Sequence, residues 1–110
     1  MQNSIIDITD AEYAIIADIL RARLPSEMAV WVFGSRVKQR AGFNSDLDLA
    51  LESRHGVSPA LLRSLKEAFN DAPLRYRVDL VDMHALSDEF RAVVTQHAVP
   101  FPLTPEQPVS

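Results

Sequence analysis

The sequence predicts an α/β (α+β) domain: a small mixed sheet of about three strands, with helices on one face. Three observations carry this. Short apolar runs of strand length alternate with stretches whose apolar residues recur at helical spacing. Serine and threonine caps stand just before each long helical stretch. At 110 residues and 47% hydrophobic content, the chain can build one real core.

The elements follow in order. Thr9 and Glu12 form a T-x-x-E capping box. Ile16, Leu20 and Leu24 continue it as a helix from about Asp10 to Leu24, stopped by Pro25. Ala29 to Phe33 is a short apolar run ending at Gly34, and reads as a buried strand. Ser35 to Arg40 is expected to begin a short helix, and Ala41 to Ser45 a loop, with Gly42 and Asn44 as turn residues. From Asp46 to Leu51 the alternation is clean. Asp46, Asp48 and Ala50 share one face; Leu47, Leu49 and Leu51 share the other. Ser58 caps and Pro59 opens a helix that Leu61, Leu62, Leu65 and Phe69 carry to about Asn70. Arg75 to Asp82 is a third strand. Ser87 caps a last helix with a Phe90, Val93, Val94 and His97 stripe, and Asp88 and Glu89 suit its positive N-terminal end. Four prolines from Pro100 onward make residues 100–110 a non-helical tail beyond a domain of residues 1–99.

Composition narrows the function. A formal net charge of −4 argues against a dedicated nucleic-acid binder. With no cysteine, disulfides and thiolate metal sites are excluded. Without a basic n-region or a long apolar run, the expectation is a cytoplasmic protein with no membrane association. His55, His84 and His97 lack zinc-ligand spacing. Glu12, Asp18 and Glu27 read as a solvated helix face, Trp31 as core, and Tyr13 and Tyr76 as helix and strand-edge residues. Phe43, without apolar neighbours, is a stacking or partner-contact candidate.

The chemistry concentrates between residues 34 and 82. Gly34-Ser35 ends a strand, and after ten residues comes Asp46-Leu47-Asp48. A small-residue turn lets backbone N–H groups approach a phosphate. Carboxylates at i and i+2 of a strand point the same way, as hard oxygen donors for Mg²⁺ must. The third carboxylate is Asp79 or Asp82. Parity with Val78 and Leu80 puts Asp79 on the open face and Asp82 on the covered one, where it ends the strand or caps a turn. Three clustered carboxylates repel one another, itself a reason to expect a cation. The arrangement suits a metal–nucleoside triphosphate and hence nucleotidyl transfer.

The run GSRVKQRAGFNSDLDLAL resembles the signature of the DNA polymerase β-like nucleotidyltransferase superfamily, and RVDLVDM extends it. The short length is similar to its minimal nucleotidyltransferases. The resemblance implies that Gly34 and Ser35 hold the β- and γ-phosphates and that Asp46, Asp48 and Asp79 bind Mg²⁺, as two ions, with ATP as substrate. Arg36 stands where the family commonly has a basic residue. Ser45, just before Asp46, is a nucleotide-binding candidate by its position, capping or orienting the aspartates, with a plain turn serine as the simpler reading. Gln39 departs from the second glycine that many members have. Minimal members pair with a HEPN-domain protein in toxin–antitoxin systems. The resemblance therefore implies transfer of AMP to a tyrosine of that partner, in a hetero-oligomer. Two rivals remain: an antitoxin of the same fold acting by occlusion, and a transferase acting on a small molecule or an RNA end.

Overall fold

The computed structural model describes residues 6–25, 27–34, 36–37 and 46–103. Helix α1 (Asp10–Arg23) is followed by strands β1 (Ala29–Phe33) and β2 (Leu47–Glu52), helix α2 (Pro59–Asp71) and strand β3 (Val78–Asp82). A single 3₁₀ turn (Met83–Ala85), helix α3 (Asp88–His97) and a two-residue strand β4 (Val99–Pro100) complete the order. Each long helix starts where the sequence places its cap. Thr9, Ser58 and Ser87 accept backbone N–H bonds from Glu12, Leu61 and Phe90, at 3.0 to 3.1 Å. The Glu12 side chain also accepts from Thr9 N–H at 3.0 Å, completing the capping box.

The sheet has four strands in the order β3-β2-β1-β4. Strand β1 pairs antiparallel with β2 and β4, and β2 pairs parallel with β3. The fourth strand straddles the boundary expected after residue 99, with Val99 on the domain side and Pro100 in the proline-rich segment. Val99 and Pro100 lie along β1, where Pro100 sits at an edge and needs no ladder N–H. Phe101 is buried and stacks on Tyr13, 5.3 Å between ring centroids. Tyr13 O–H donates to the Pro102 carbonyl, and Arg21 donates to that of Leu103.

Helices cover both faces of the sheet, where the sequence suggested one. Leu47, Leu49 and Leu51 pack with Val30, Val32, Ile16, Leu20, Leu65 and Phe69 beneath α1 and α2. On the other face Ala50, Met83 and Val94 form a smaller cluster with Trp31, Phe33 and Val81, under α3. The stripe on α3 splits accordingly. Val94 is buried against the sheet, whereas Phe90 and Val93 stay about half exposed. Asp48 and Asp79 share this face of the sheet with Ala50 and Val81.

Glu12 is the main departure from the sequence reading. It is buried rather than on a solvated face, and it joins three elements. It accepts from Arg75 Nε at 2.8 Å and from Tyr76 O–H at 3.1 Å. The Arg36 guanidinium lies 4.1 Å from the Tyr76 ring centroid. Burial alone would raise the Glu12 pKa. The Thr9 amide, the Tyr76 hydroxyl and Arg75 together outweigh it, and the pKa is lowered. Burial and the Glu12 charge push the Tyr76 hydroxyl upward, so it remains a donor. The helix N-terminus is thus tied to the segment entering β3. Glu12→Gln is expected to cost about 2–3 kcal/mol at pH 7, the figure for a broken buried pair reduced because Arg75 is partly exposed. A lowered folded pKa means this stabilisation is present above pH 4.5 and lost as the pH falls below it. Urea unfolding of wild type and variant should therefore converge in acid.

Candidate active site

The geometry starts from strand register. In the parallel β2–β3 pair, Asp48 is the partner of Asp79. Partners in register place their side chains on one face, so these two carboxylates are neighbours across the ladder. Asp46 precedes β2 by one residue and has the parity of Asp48. Across the antiparallel pair, Asp48 faces Phe33, the last residue before Gly34.

Gly34 has φ +88°, the left-handed region that favours glycine. A Cβ built there would lie 3.2 Å from Asp48 Cγ and closer still to its Oδ2. Backbone and carboxylate are therefore packed directly together; the conformation requires glycine, and a Cβ would also make the Asp48 carboxylate turn away. Gly34→Ala is expected to cost about 1–3 kcal/mol, measured by thermal unfolding.

All three aspartates line one cleft of about 1130 Å³. Its other walls come from α2, the α2–β3 connection and β3 itself, with Phe33 and Phe90 at one side. Phe33 and Phe90 meet edge to face, centroids 6.4 Å apart. Arg63 and Lys66 of α2 and Arg77 before β3 also line the cleft. A space of this size accommodates a nucleoside triphosphate.

Electrostatics couple the acidic group. The Asp48 carboxyl is pushed up to about 6, by burial first and then by the charges of Asp79 and Asp46. Among the described residues, no three His, Asp or Glu side chains gather into a ready metal cage. The donor set still matches a hard divalent ion, which takes carboxylate oxygens and fills its remaining positions with water and phosphate.

Sequence reasoning placed other residues less well. Arg36 was expected at the nucleotide, but its side chain is buried, with 1% exposure. It donates to the Asp7 carbonyl at 3.0 Å and packs on Tyr76, so its guanidinium serves the fold. Ser35 and Ser45 lie outside the described residues, as do Gln39 and Phe43. Asp82 caps the 3₁₀ turn. Its Oδ1 accepts from His84 N–H and its Oδ2 from Val57 N–H, each at 3.0 Å. Asp79 is exposed toward the cleft. The cleft cations on α2 and at Arg77 were missed; Arg63 and Lys66 sit three apart on a helix, the spacing that could have flagged a shared face.

The raised Asp48 pKa sets a pH dependence. Between pH 3.8 and about 6 the folded state holds a proton that the unfolded state has released. Stability therefore falls as pH rises through that window, and the penalty is full above it. In chelator-treated protein, Asp48→Asn should flatten this part of the pH profile. It should be more stable than wild type at pH 8 by about 1–2 kcal/mol, after discounting for solvent screening, as read from urea midpoints.

Comparison with known proteins gives the family and the fold. Residues 15–101 match the family model described as "Polymerase beta, Nucleotidyltransferase". The chain is 43% identical over 89 residues to a "Probable protein adenylyltransferase MntA" of Haemophilus influenzae, covering 81% of this chain and 77% of that protein. Two solved structures share the fold. One is a crystal structure of a toxin–antitoxin with AMP-PNP, with TM-score 0.67, 23% identity and coverage of 81% of this chain and 71% of that one. The other is a mutant MntA–HpeT toxin–antitoxin, with TM-score 0.65, 22% identity and coverage of 81% and 70%. The family match spans both carboxylate-bearing strands and the Gly34 turn, and the chain belongs to the polymerase β nucleotidyltransferase family.

Proposed function

We propose that the protein transfers AMP from ATP, with Mg²⁺, to a tyrosine of a partner HEPN toxin in the cytoplasm, and so acts as an antitoxin. The observation that carries the reading is the in-register Asp48–Asp79 pair, against a Gly34 turn too tight for a Cβ, at a cleft of nucleotide size. The name of the 43% identical relative, a probable protein adenylyltransferase, supports the reaction. The toxin–antitoxin structures, one with AMP-PNP, support a toxin partner and an adenine nucleotide.

In this mechanism Asp46, Asp48 and Asp79 would hold the divalent ions. The ions would supply charge neutralisation at the phosphates and at the attacking oxygen. The Gly34 turn would let Gly34 and Ser35 meet the β- and γ-phosphates without a side chain in the way. Asp79, exposed at the cleft, accepts the proton of the tyrosine hydroxyl. The tyrosine oxygen forms a bond to the α-phosphorus, the bond from that phosphorus to the bridging oxygen breaks, and pyrophosphate leaves. Asp48 must be ionised to serve here. Its raised pKa makes binding of Mg²⁺–ATP release a proton near neutral pH.

A second reading, toxin neutralisation by occlusion, draws on the exposed Phe90 and Val93 beside the cleft. Mass spectrometry of the partner after incubation with ATP and Mg²⁺ separates the two. A gain of one or more AMP units supports transfer; binding without a gain overturns it. Asp46→Asn, Asp48→Asn and Asp79→Asn should each lower transfer by about 100-fold or more while the protein stays folded by circular dichroism. Full transfer by any of them removes that residue from the site.

A further inference from the structure

We infer that Arg77 is a catalytic residue on the acceptor side of the site, where its guanidinium donates to the attacking oxygen and stabilises the negative charge that develops there. This inference rests on the nucleotidyl-transfer reading above, with the β- and γ-phosphates at the Gly34 turn. The strand order sets the direction of attack. Gly34 follows β1, Asp46 and Asp48 stand at the start of β2, and Asp79 lies on β3, so the three groups follow one another across the sheet. Asp48 is the link, as the partner of Phe33 on one side and of Asp79 on the other. Neighbouring strands lie about 4.8 Å apart, which puts β1 and β3 about 10 Å apart with β2 between them. Phosphoryl displacement keeps the attacking and leaving oxygens roughly in line through the phosphorus. With pyrophosphate leaving toward the Gly34 turn and the α-phosphorus over β2, the acceptor oxygen arrives over β3.

Arg77 stands on that side. Leu47 N–H donates to the Arg77 carbonyl at 2.9 Å, which extends the β2–β3 ladder one residue before Val78. Since Leu47 is the partner of Val78, one step back sets Arg77 beside Asp46. Two residues separate Arg77 from Asp79, so both share the carboxylate face. Both are exposed and line the cleft. Among the described residues Arg77 has no ion-pair partner, although two aspartates share its face. The other arginines differ. Arg36 and Arg75 are engaged with Asp7, Tyr76 and Glu12, and Arg63 lies on α2 rather than on a carboxylate-bearing strand. A guanidinium keeps its protons, so Asp79 remains the base. As the tyrosine oxygen loses its proton to Asp79 and bonds to the α-phosphorus, Arg77 supplies a fixed donor to the charge passing through that oxygen.

The test uses the whole chain, the partner toxin as acceptor at saturation, and Mg²⁺–ATP. Arg77→Ala is expected to lower kcat for transfer by about 100-fold, the scale for one fixed donor at a developing charge. Its Kd for Mg²⁺–ATP, read by calorimetry without the toxin, should change less than about threefold, because the residue serves the acceptor and not the phosphates. Arg77→Lys keeps the charge without the planar fork and should lose less. A second acceptor tests the side of attack. In toxin made with fluorotyrosine in place of tyrosine, the phenol is more acidic and leaves less charge to stabilise. The deficit of Arg77→Ala against wild type should therefore shrink by about tenfold with that acceptor. No AMP on the toxin with wild-type protein would remove the parent reading and this inference with it. Transfer by wild type would overturn the role of Arg77 alone in any of three cases: an unchanged kcat in Arg77→Ala, an ATP affinity that falls in step with its rate, or a deficit equal for both acceptors.

Discussion

The parallel pairing of β2 with β3 is the constraint on which the site depends. Parallel register puts Asp48 beside Asp79, and the same register puts Leu49 beside Leu80 on the core side. A slip of one residue would exchange the faces, burying carboxylates beneath α1 and α2 and exposing leucines. The hydrophobic core therefore fixes the position of the acidic side chains, although it touches none of their oxygens. The antiparallel β1–β2 pair adds the third component by bringing the Gly34 turn onto Asp48. The chain thus converges three distant segments using only sheet pairing and leucine burial.

The acidic cluster works against this fold, and its neighbours show what offsets it. Asp48 is partly buried next to two like charges, which is why its carboxyl is pushed up to about 6. No arginine of the described residues forms an ion pair with it. Arg36, the nearest in sequence to the Gly34 turn, is directed at Tyr76 and Asp7. Stabilisation comes instead from the Glu12–Arg75–Tyr76 group at the β3 entrance and from α3 closing over Ala50. The stabilising ion pair is thus separate from the acidic cluster, and among the described residues no ion pair engages the three aspartates.

Much of this was legible because it rests on local rules. Period-two alternation from Asp46 to Leu51 gave the face of both aspartates, and parity gave the side of Asp79. Thr9, Ser58 and Ser87 announced the helix starts because caps act within three residues. What was not legible depends on contacts far apart in the chain. Glu12 satisfies its capping box, so nothing local signals that its other oxygen meets Arg75, sixty-three residues away. Arg36 beside a Gly-Ser turn looks like a phosphate ligand until Tyr76 is placed over it. Val99 and Pro100 carry no strand signal of their own. They join the sheet because Phe101 has a berth against Tyr13, and burial of one aromatic ring outweighs a poor β-propensity.

The two edges of the sheet differ in consequence. At β4 the edge carries Pro100, which cannot donate, and Phe101 turns inward to Tyr13. Proline at an edge is a standard protection against unwanted pairing. At β3 no proline appears between residues 74 and 82, and the edge residues Val78 and Leu80 have high strand propensity. Asp79 discourages a like-charged neighbour yet leaves the backbone free. Protection is therefore complete on the edge remote from the carboxylates and weak on the edge that bears them. The blocked edge thus lies two strands away from Asp79, and the edge open to pairing is the strand that carries it.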